Sequence, residues 1–154
     1  MKKTINILLP FFATLFLWRL SSNLINPNGI LTLIPIFYYS MVKEQGGFIP
    51  MALIGCFLLD TSFDIMLFWT ILFCIFYAIA GLQNIINISE RNIRSLDMFI
   101  IFVGIGVIIL GISSAISTKS FIPILTTIWM FIISAVAYAP TTYIFERIEC
   151  WTKK

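Results

Sequence analysis

Two aspartates, Asp60 and Asp64, lie one helical turn apart in an apolar stretch, IGCFLLDTSFDIMLF, which runs from Ile54 to Phe68. Two carboxylates at this spacing could bind a cation, but a divalent metal wants six or more oxygen ligands and no oxygen-rich neighbours follow them. Two interpretations therefore stay open. The aspartates form a water-facing turn between two helices, or Asp60 turns inward and finds a partner.

The inward interpretation of Asp60 follows from its expected depth in the membrane. The apolar run from Phe48 to Leu59 is only 12 residues long, so Asp60 should lie at or just below a membrane interface. An ionisable group costs about 2.5–3.5 kcal/mol at the centre of a membrane helix and less near the edge, so it seeks a partner. Arg19 is the candidate. An Arg19–Asp60 pair would tie the first helix to the third, which is a structural role, and Asp64 would stay in the outer turn.

Other catalytic chemistry finds little support in the sequence. There is no histidine, which removes the commonest general base and transition-metal ligand. The three cysteines, Cys56, Cys74 and Cys150, form no CxxC pair and are typical of small buried thiols. A net charge of +3 is too small to indicate nucleic acid as a partner. We expect no enzymatic activity, no metal and no cofactor.

The composition indicates which kind of structure holds these residues in place. Hydrophobic residues make up 60% of the 154-residue chain, charged residues 11%, and the mean hydropathy is +1.01. A soluble domain carries about 25% charged residues, and charge-free runs of about 18 or more are typical of membrane helices. The sequence predicts one integral membrane domain over residues 1–154, an all-α transmembrane bundle of six short helices. The predicted spans are 5–22, 27–42, 47–61, 64–82, 98–117 and 121–145.

The distribution of lysine and arginine predicts the orientation of the six spans, because these residues stay preferentially in the cytoplasm. With the N-terminus inside, only Arg19 and Lys119 of the ten basic residues fall outside. Both termini of this multi-pass protein are then cytoplasmic. The eight basic residues predicted to be cytoplasmic are Lys2, Lys3, Lys43, Arg91, Arg94, Arg147, Lys153 and Lys154.

Small residues in the last two predicted helices indicate close packing. Such residues allow helix backbones to approach each other where the hydrophobic effect cannot drive association. We expect the two helices to pack on each other, with an oligomer interface as the alternative. The residues are Gly104, Gly111 and Ala115 in the fifth helix and Ala135 and Ala139 in the sixth.

The longest polar segment, residues 83–97, is predicted to be cytoplasmic. It contains Arg91 and Arg94. A connector that skims the lipid headgroups and a surface that docks a partner are both compatible with this composition.

Two stretches carry a family resemblance: NPNGILTLIPIFYYS, from Asn26 to Ser40, and IGCFLLD, from Ile54 to Asp60. A proline-led second segment with an aromatic pair, and a helix that ends in an aspartate, resemble the MreD family of bacterial rod-shape-determining membrane proteins. Cys56 stands where the family pattern usually has glycine. The resemblance implies a non-enzymatic scaffold of the cell-elongation and peptidoglycan-synthesis machinery. Its partners would be membrane lipids, an MreC-like protein, MreB, a RodA-type polymerase and a penicillin-binding transpeptidase.

A second class of protein has a similar architecture, the substrate-binding membrane subunits of energy-coupling-factor vitamin transporters. These subunits carry an alanine-xxx-alanine motif in the first helix, where the coupling subunit binds. In this chain Ala13 is followed at that spacing by Leu17. The transporter subunit is therefore the alternative to the scaffold.

Overall fold

A computed structural model describes residues 2–20, 29–62, 67–85 and 91–153, with side chains for 8–20, 29–62, 67–81 and 96–150. Within these ranges the protein contains six α-helices and no strand, so the all-α prediction is confirmed. The helices are α1 Lys2–Leu20, α2 Leu33–Phe37, α3 Ile49–Ser62, α4 Phe68–Ile85, α5 Arg91–Thr118 and α6 Ile122–Lys153.

The helices belong to two compact units, Met1–Ser95 and Leu96–Lys154. In the first unit the short helix α2 is extended on both sides. A 3-10 turn, Ile30–Thr32, precedes it and a π-helical stretch, Tyr38–Val42, follows it. A second 3-10 turn, Gly46–Phe48, leads into α3. Pro50 lies in the first turn of α3, where a missing N–H costs no helical hydrogen bond.

The centre of the first unit is residues 30–40, called the central segment below. Every residue in it is buried. Helices α1, α3 and α4 pack against its different parts, which explains why its apolar residues show no one-sided pattern. Tight packing against α3 occurs at Gly55, where an added Cβ would lie 2.8 Å from Cδ1 of Ile36.

The second unit consists of α5 from Leu96 onward and α6. Three contacts define an antiparallel pairing. The rings of Phe99 and Tyr138 stack with centroids 4.3 Å apart. A Cβ added at Gly104 would lie 3.4 Å from the ring of Phe131, and one added at Gly111 would lie 2.6 Å from Oγ1 of Thr127.

The small residues of the two helices contribute unequally to this pairing. Gly104 and Gly111 face α6, and Ala115 is partly exposed near the end of α5. On α6, Ala135 is half-buried and Ala139 is exposed. In the contacts described above, α6 contributes its larger residues. Their side chains pack against the glycines of α5.

This close approach makes Gly111→Ala a test of the packing. The methyl group must displace Thr127, whose hydroxyl donates to the carbonyls of Pro123 at 3.0 Å and Ile124 at 2.9 Å. We expect the free energy of unfolding in detergent to fall by about 1–2 kcal/mol, and Thr127→Ala to restore part of that loss. Gly81→Ala is the control, since nothing lies within 4 Å of an added Cβ there. It should stabilise α4 by up to about 1 kcal/mol. Equal effects at both glycines would contradict the packing.

Two helical stretches within the described residues are long and apolar enough to cross a membrane, Leu96–Thr118 and Ile122–Cys150. Four further apolar helices have 10–17 residues: Leu8–Leu20, Ile30–Val42, Gly46–Ser62 and Phe68–Gly81. Over their full bounds, α1 has 19 residues and α4 has 18, close to the roughly 20 that a membrane span needs. Six helices are therefore present in the described residues, and α5 and α6 are the longest of them.

Candidate functional site

The most distinctive polar site in the first unit is the carboxylate of Asp60, near the C-terminal end of α3. Only 2% of this residue is exposed. Asp60 is buried because it lies on the same face of α3 as the buried residues before it, Gly55, Cys56 and Leu59. The sequence therefore buries a charged group among apolar side chains.

Among the described residues, three hydrogen bonds reach this carboxylate, and all three come from the first turn of α4. Oδ1 accepts from the backbone N–H of Trp69 at 2.6 Å. Oδ2 accepts from the backbone N–H of Thr70 at 3.2 Å and from its hydroxyl at 2.7 Å. The first N–H groups of a helix have no partner inside the helix, and the helix dipole favours negative charge at this end. Asp60 thus caps α4 from a different helix.

The cap lies beside a second tight contact. Gly29 is buried with φ +84°, in the left-handed region that glycine tolerates best. A Cβ added there would lie 2.6 Å from Cδ1 of Trp18 and 3.3 Å from Cδ2 of Leu59. The carbonyl of Gly29 also accepts the N–H of Thr32 at 2.9 Å, which starts the central segment. Gly29 therefore joins α1, the central segment and α3 next to Asp60.

The other polar residues singled out by the sequence are Arg19, Asp64, Arg91 and Arg94. Arg19 is exposed in the last turn of α1, and the described hydrogen bonds of Asp60 go to α4. The Arg19–Asp60 pair stays a prediction. Asp64, the predicted outer turn, lies outside the described residues. Arg91 and Arg94 lie in the first turn of α5, in a segment predicted to be a connector.

Sequence reasoning missed Trp69 and Thr70, the partners of Asp60. Thr70 was not singled out because its hydroxyl becomes relevant only once α3 and α4 are antiparallel neighbours. Gly29 carried a detectable signal, since Asn26-Pro27-Asn28-Gly29 is typical of a turn. Nothing in that motif indicates which ring packs against the glycine.

The chain matches no protein-family model, no curated protein and no solved structure. The chemistry of the site must therefore be argued from its geometry. In the described ranges no three His, Cys, Asp or Glu side chains come together as a metal site would require. The three hydrogen bonds that the structure describes at Asp60 all come from donors on α4, so the carboxylate acts as an acceptor that joins two helices.

Proposed function

We propose that the chain is an integral membrane protein with both termini in the cytoplasm and six membrane-embedded helices. Two observations support this location. The helices α5 and α6 contain apolar stretches of 23 and 29 residues. Large apolar side chains on them are also widely exposed, including Ile116 and Ile122, both at 72%. Apolar exposure on this scale is uncommon for a protein surrounded by water and is expected of one surrounded by lipid.

We further propose that this membrane protein is a scaffold of a bacterial cell-elongation machinery, in the inner membrane and without chemistry of its own. The supporting observation is where the resembling residues lie. From Gly29 onward, the first resembling stretch forms the buried centre of the first unit. The second ends in the aspartate that joins α3 to α4. A bundle tied in this way suits a rigid body that presents its outer faces to partner helices.

The proposed partners are lipids and the proteins of wall synthesis: an MreC-like protein, a RodA-type polymerase, a penicillin-binding transpeptidase and MreB. Membrane partners would contact the exposed apolar faces, such as the face of α1 that carries Phe12 and Phe16. MreB would meet the basic cytoplasmic segment at the start of α5, with Arg91 and Arg94.

The vitamin-transporter alternative requires room for a ligand. The cavity between α1, the central segment and α3 has a volume of about 20 Å³. Sites for small molecules typically measure about 300–1,000 Å³. A vitamin does not fit this cavity, so the transporter alternative would need another site, such as the groove of about 430 Å³ on α6 that is lined by Leu125, Trp129 and Ile132.

Affinity purification from native membranes in mild detergent tests the scaffold. Tagged protein should recover an MreC-like protein or the wall-synthesis pair. An Arg91→Ala/Arg94→Ala variant should lose MreB and keep the membrane partners, because the change is confined to the cytoplasmic segment. Recovery of paired ATPases and a transmembrane coupling subunit would overturn the scaffold and favour the transporter.

Labelling of single cysteines tests the topology. Lys43 and Lys119 are both exposed, and α3, α4 and α5 lie between them. In a background without Cys56, Cys74 and Cys150, we expect a membrane-impermeant maleimide to label Lys119→Cys in intact cells. Lys43→Cys should react only after the membrane is opened. Labelling of both positions from the same side would contradict three crossings between them.

A further inference from the structure

Thr32 is a buried polar residue whose side chain needs an explanation. It is 4% exposed, and within the described part of the chain its Oγ1 has no hydrogen-bond partner. Leaving a buried hydroxyl unsatisfied costs about 1–3 kcal/mol. Such a group in a native protein commonly marks a bound water or ion.

Thr32 lines the cavity of about 20 Å³ described above. A cavity needs about 10–15 Å³ to hold one water molecule, so this one has room for a water molecule. The other lining residues include Thr14, Met51 and Gly55. The cavity therefore has room for a water molecule beside two threonines, one from α1 and one from the turn that begins the central segment.

Thr14 has the right hydrogen-bonding capacity to be the second partner. It is 5% exposed, and its hydroxyl donates within α1, to the carbonyl of Phe11 at 2.7 Å and that of Pro10 at 3.1 Å. A hydroxyl has one proton and two lone pairs, so Thr14 can still accept. Thr32 can donate, and the thioether of Met51 is a weak third acceptor.

We propose that one ordered water molecule occupies this cavity and bridges the hydroxyl of Thr32 to the hydroxyl of Thr14. The water accepts the proton of Thr32 and donates to Oγ1 of Thr14. It thereby links α1 to the central segment at a place where the surrounding lining is otherwise apolar. This inference is independent of the proposed scaffold function.

A double-mutant cycle on the full chain in detergent tests the bridge. Thr32→Val keeps the shape of the side chain and removes the hydroxyl. If a water bridges the two residues, Thr32→Val and Thr14→Val should each raise the unfolding equilibrium constant about five-fold. The double variant should be little worse than either single one, because the same bridge is lost. Thr126→Val, at an exposed threonine of α6, is the control and should have little effect.

Other outcomes overturn the bridge. If Thr32→Val leaves the unfolding constant unchanged or lowers it, the cavity is dry. If the losses at Thr14 and Thr32 simply multiply, the two hydroxyls do not share a water. A direct hydrogen bond between them would also couple the variants. A crystal structure that resolves ordered water separates the cases, since the bridge requires a density peak between the two hydroxyls and a direct bond leaves none.

Discussion

Replacing Asp60 with alanine is expected to lower the free energy of unfolding by about 3 kcal/mol, one of the two largest single effects expected in this protein. Removal of an N-cap costs up to about 2 kcal/mol, and each buried donor left unsatisfied adds to that loss. Here the backbone N–H groups of Trp69 and Thr70 would both lose their acceptor. Denaturant unfolding in detergent micelles, followed by tryptophan fluorescence, measures the loss because Trp69 lies at the cap.

Two further variants divide this loss. One removes the charge of Asp60 and keeps its shape, and the other removes a single hydrogen bond. Asp60→Asn keeps one carbonyl acceptor but turns an N–H₂ group toward donors on α4, so we expect a loss of about 1–2 kcal/mol. Thr70→Val removes only the hydroxyl bond of 2.7 Å. It should cost about 1 kcal/mol and show no additional effect in an Asp60→Ala background.

The matched control is Asp97→Ala, at an exposed aspartate of α5. Its unfolding free energy should stay within about 0.5 kcal/mol of the parent protein. If Asp60→Ala were as mild as this control, the carboxylate would not be holding α4. Arg19→Gln in the same series tests the pair predicted from the sequence, since coupled losses with Asp60→Asn would require contact between the two side chains and additive losses would exclude it.

The two interpretations of Asp60 show how much of this site could be predicted from the sequence. The sequence left open whether Asp60 faces water or turns inward, and the structure buries it. A local search for helix caps examines the residues just before a helix, and Asp60 lies eight positions before Phe68, the first residue of α4. The cap exists only because α3 and α4 are neighbours in space, so it could not be predicted from spacing along the chain.

The positions of the helices could be predicted from the sequence, but the irregular geometry within one predicted span could not. Uninterrupted apolar runs predicted α5 and α6, and turn residues such as Gly46 separated the earlier helices. The predicted span 27–42 instead contains a 3-10 turn, the short helix α2 and a π-helical stretch. Periodicity cannot indicate such changes in a segment buried on every side, because its positions are apolar apart from Thr32 and Ser40. Within it, Ser40 donates its hydroxyl back to the carbonyl of Ile36, another local contact that the pattern does not show.

Substitution of Gly29 is the second of the two changes with the largest expected effects. The reasons are its backbone conformation and its close neighbours. The turn motif predicted a bend at this position, and the structure adds a positive φ and close neighbours. Alanine in the left-handed region costs about 1 kcal/mol or more relative to glycine. Its Cβ would also approach the ring of Trp18 to 2.6 Å, a distance that requires the indole or the backbone to move.

Gly29→Ala is therefore expected to lower the free energy of unfolding by about 3 kcal/mol, the sum of backbone strain and overpacking. Trp18→Leu in the same chain should recover the packing part and leave the strain, since it removes the ring without changing φ. Gly29→Asn separates the two causes further. Asparagine adopts the left-handed region more readily than alanine, so a milder loss than with alanine would assign the effect mainly to strain.

Gly47→Ala is the matched control, because nothing lies within 4 Å of an added Cβ there and its φ is not positive. The same unfolding measurement should show a change of no more than about 0.5 kcal/mol. If Gly29→Ala were equally mild, the contact of Gly29 with Trp18 and Leu59 would not be holding the first unit together. The rigid body that the scaffold proposal needs would then rest on the Asp60 cap and on the packing of the central segment against α3 at Gly55.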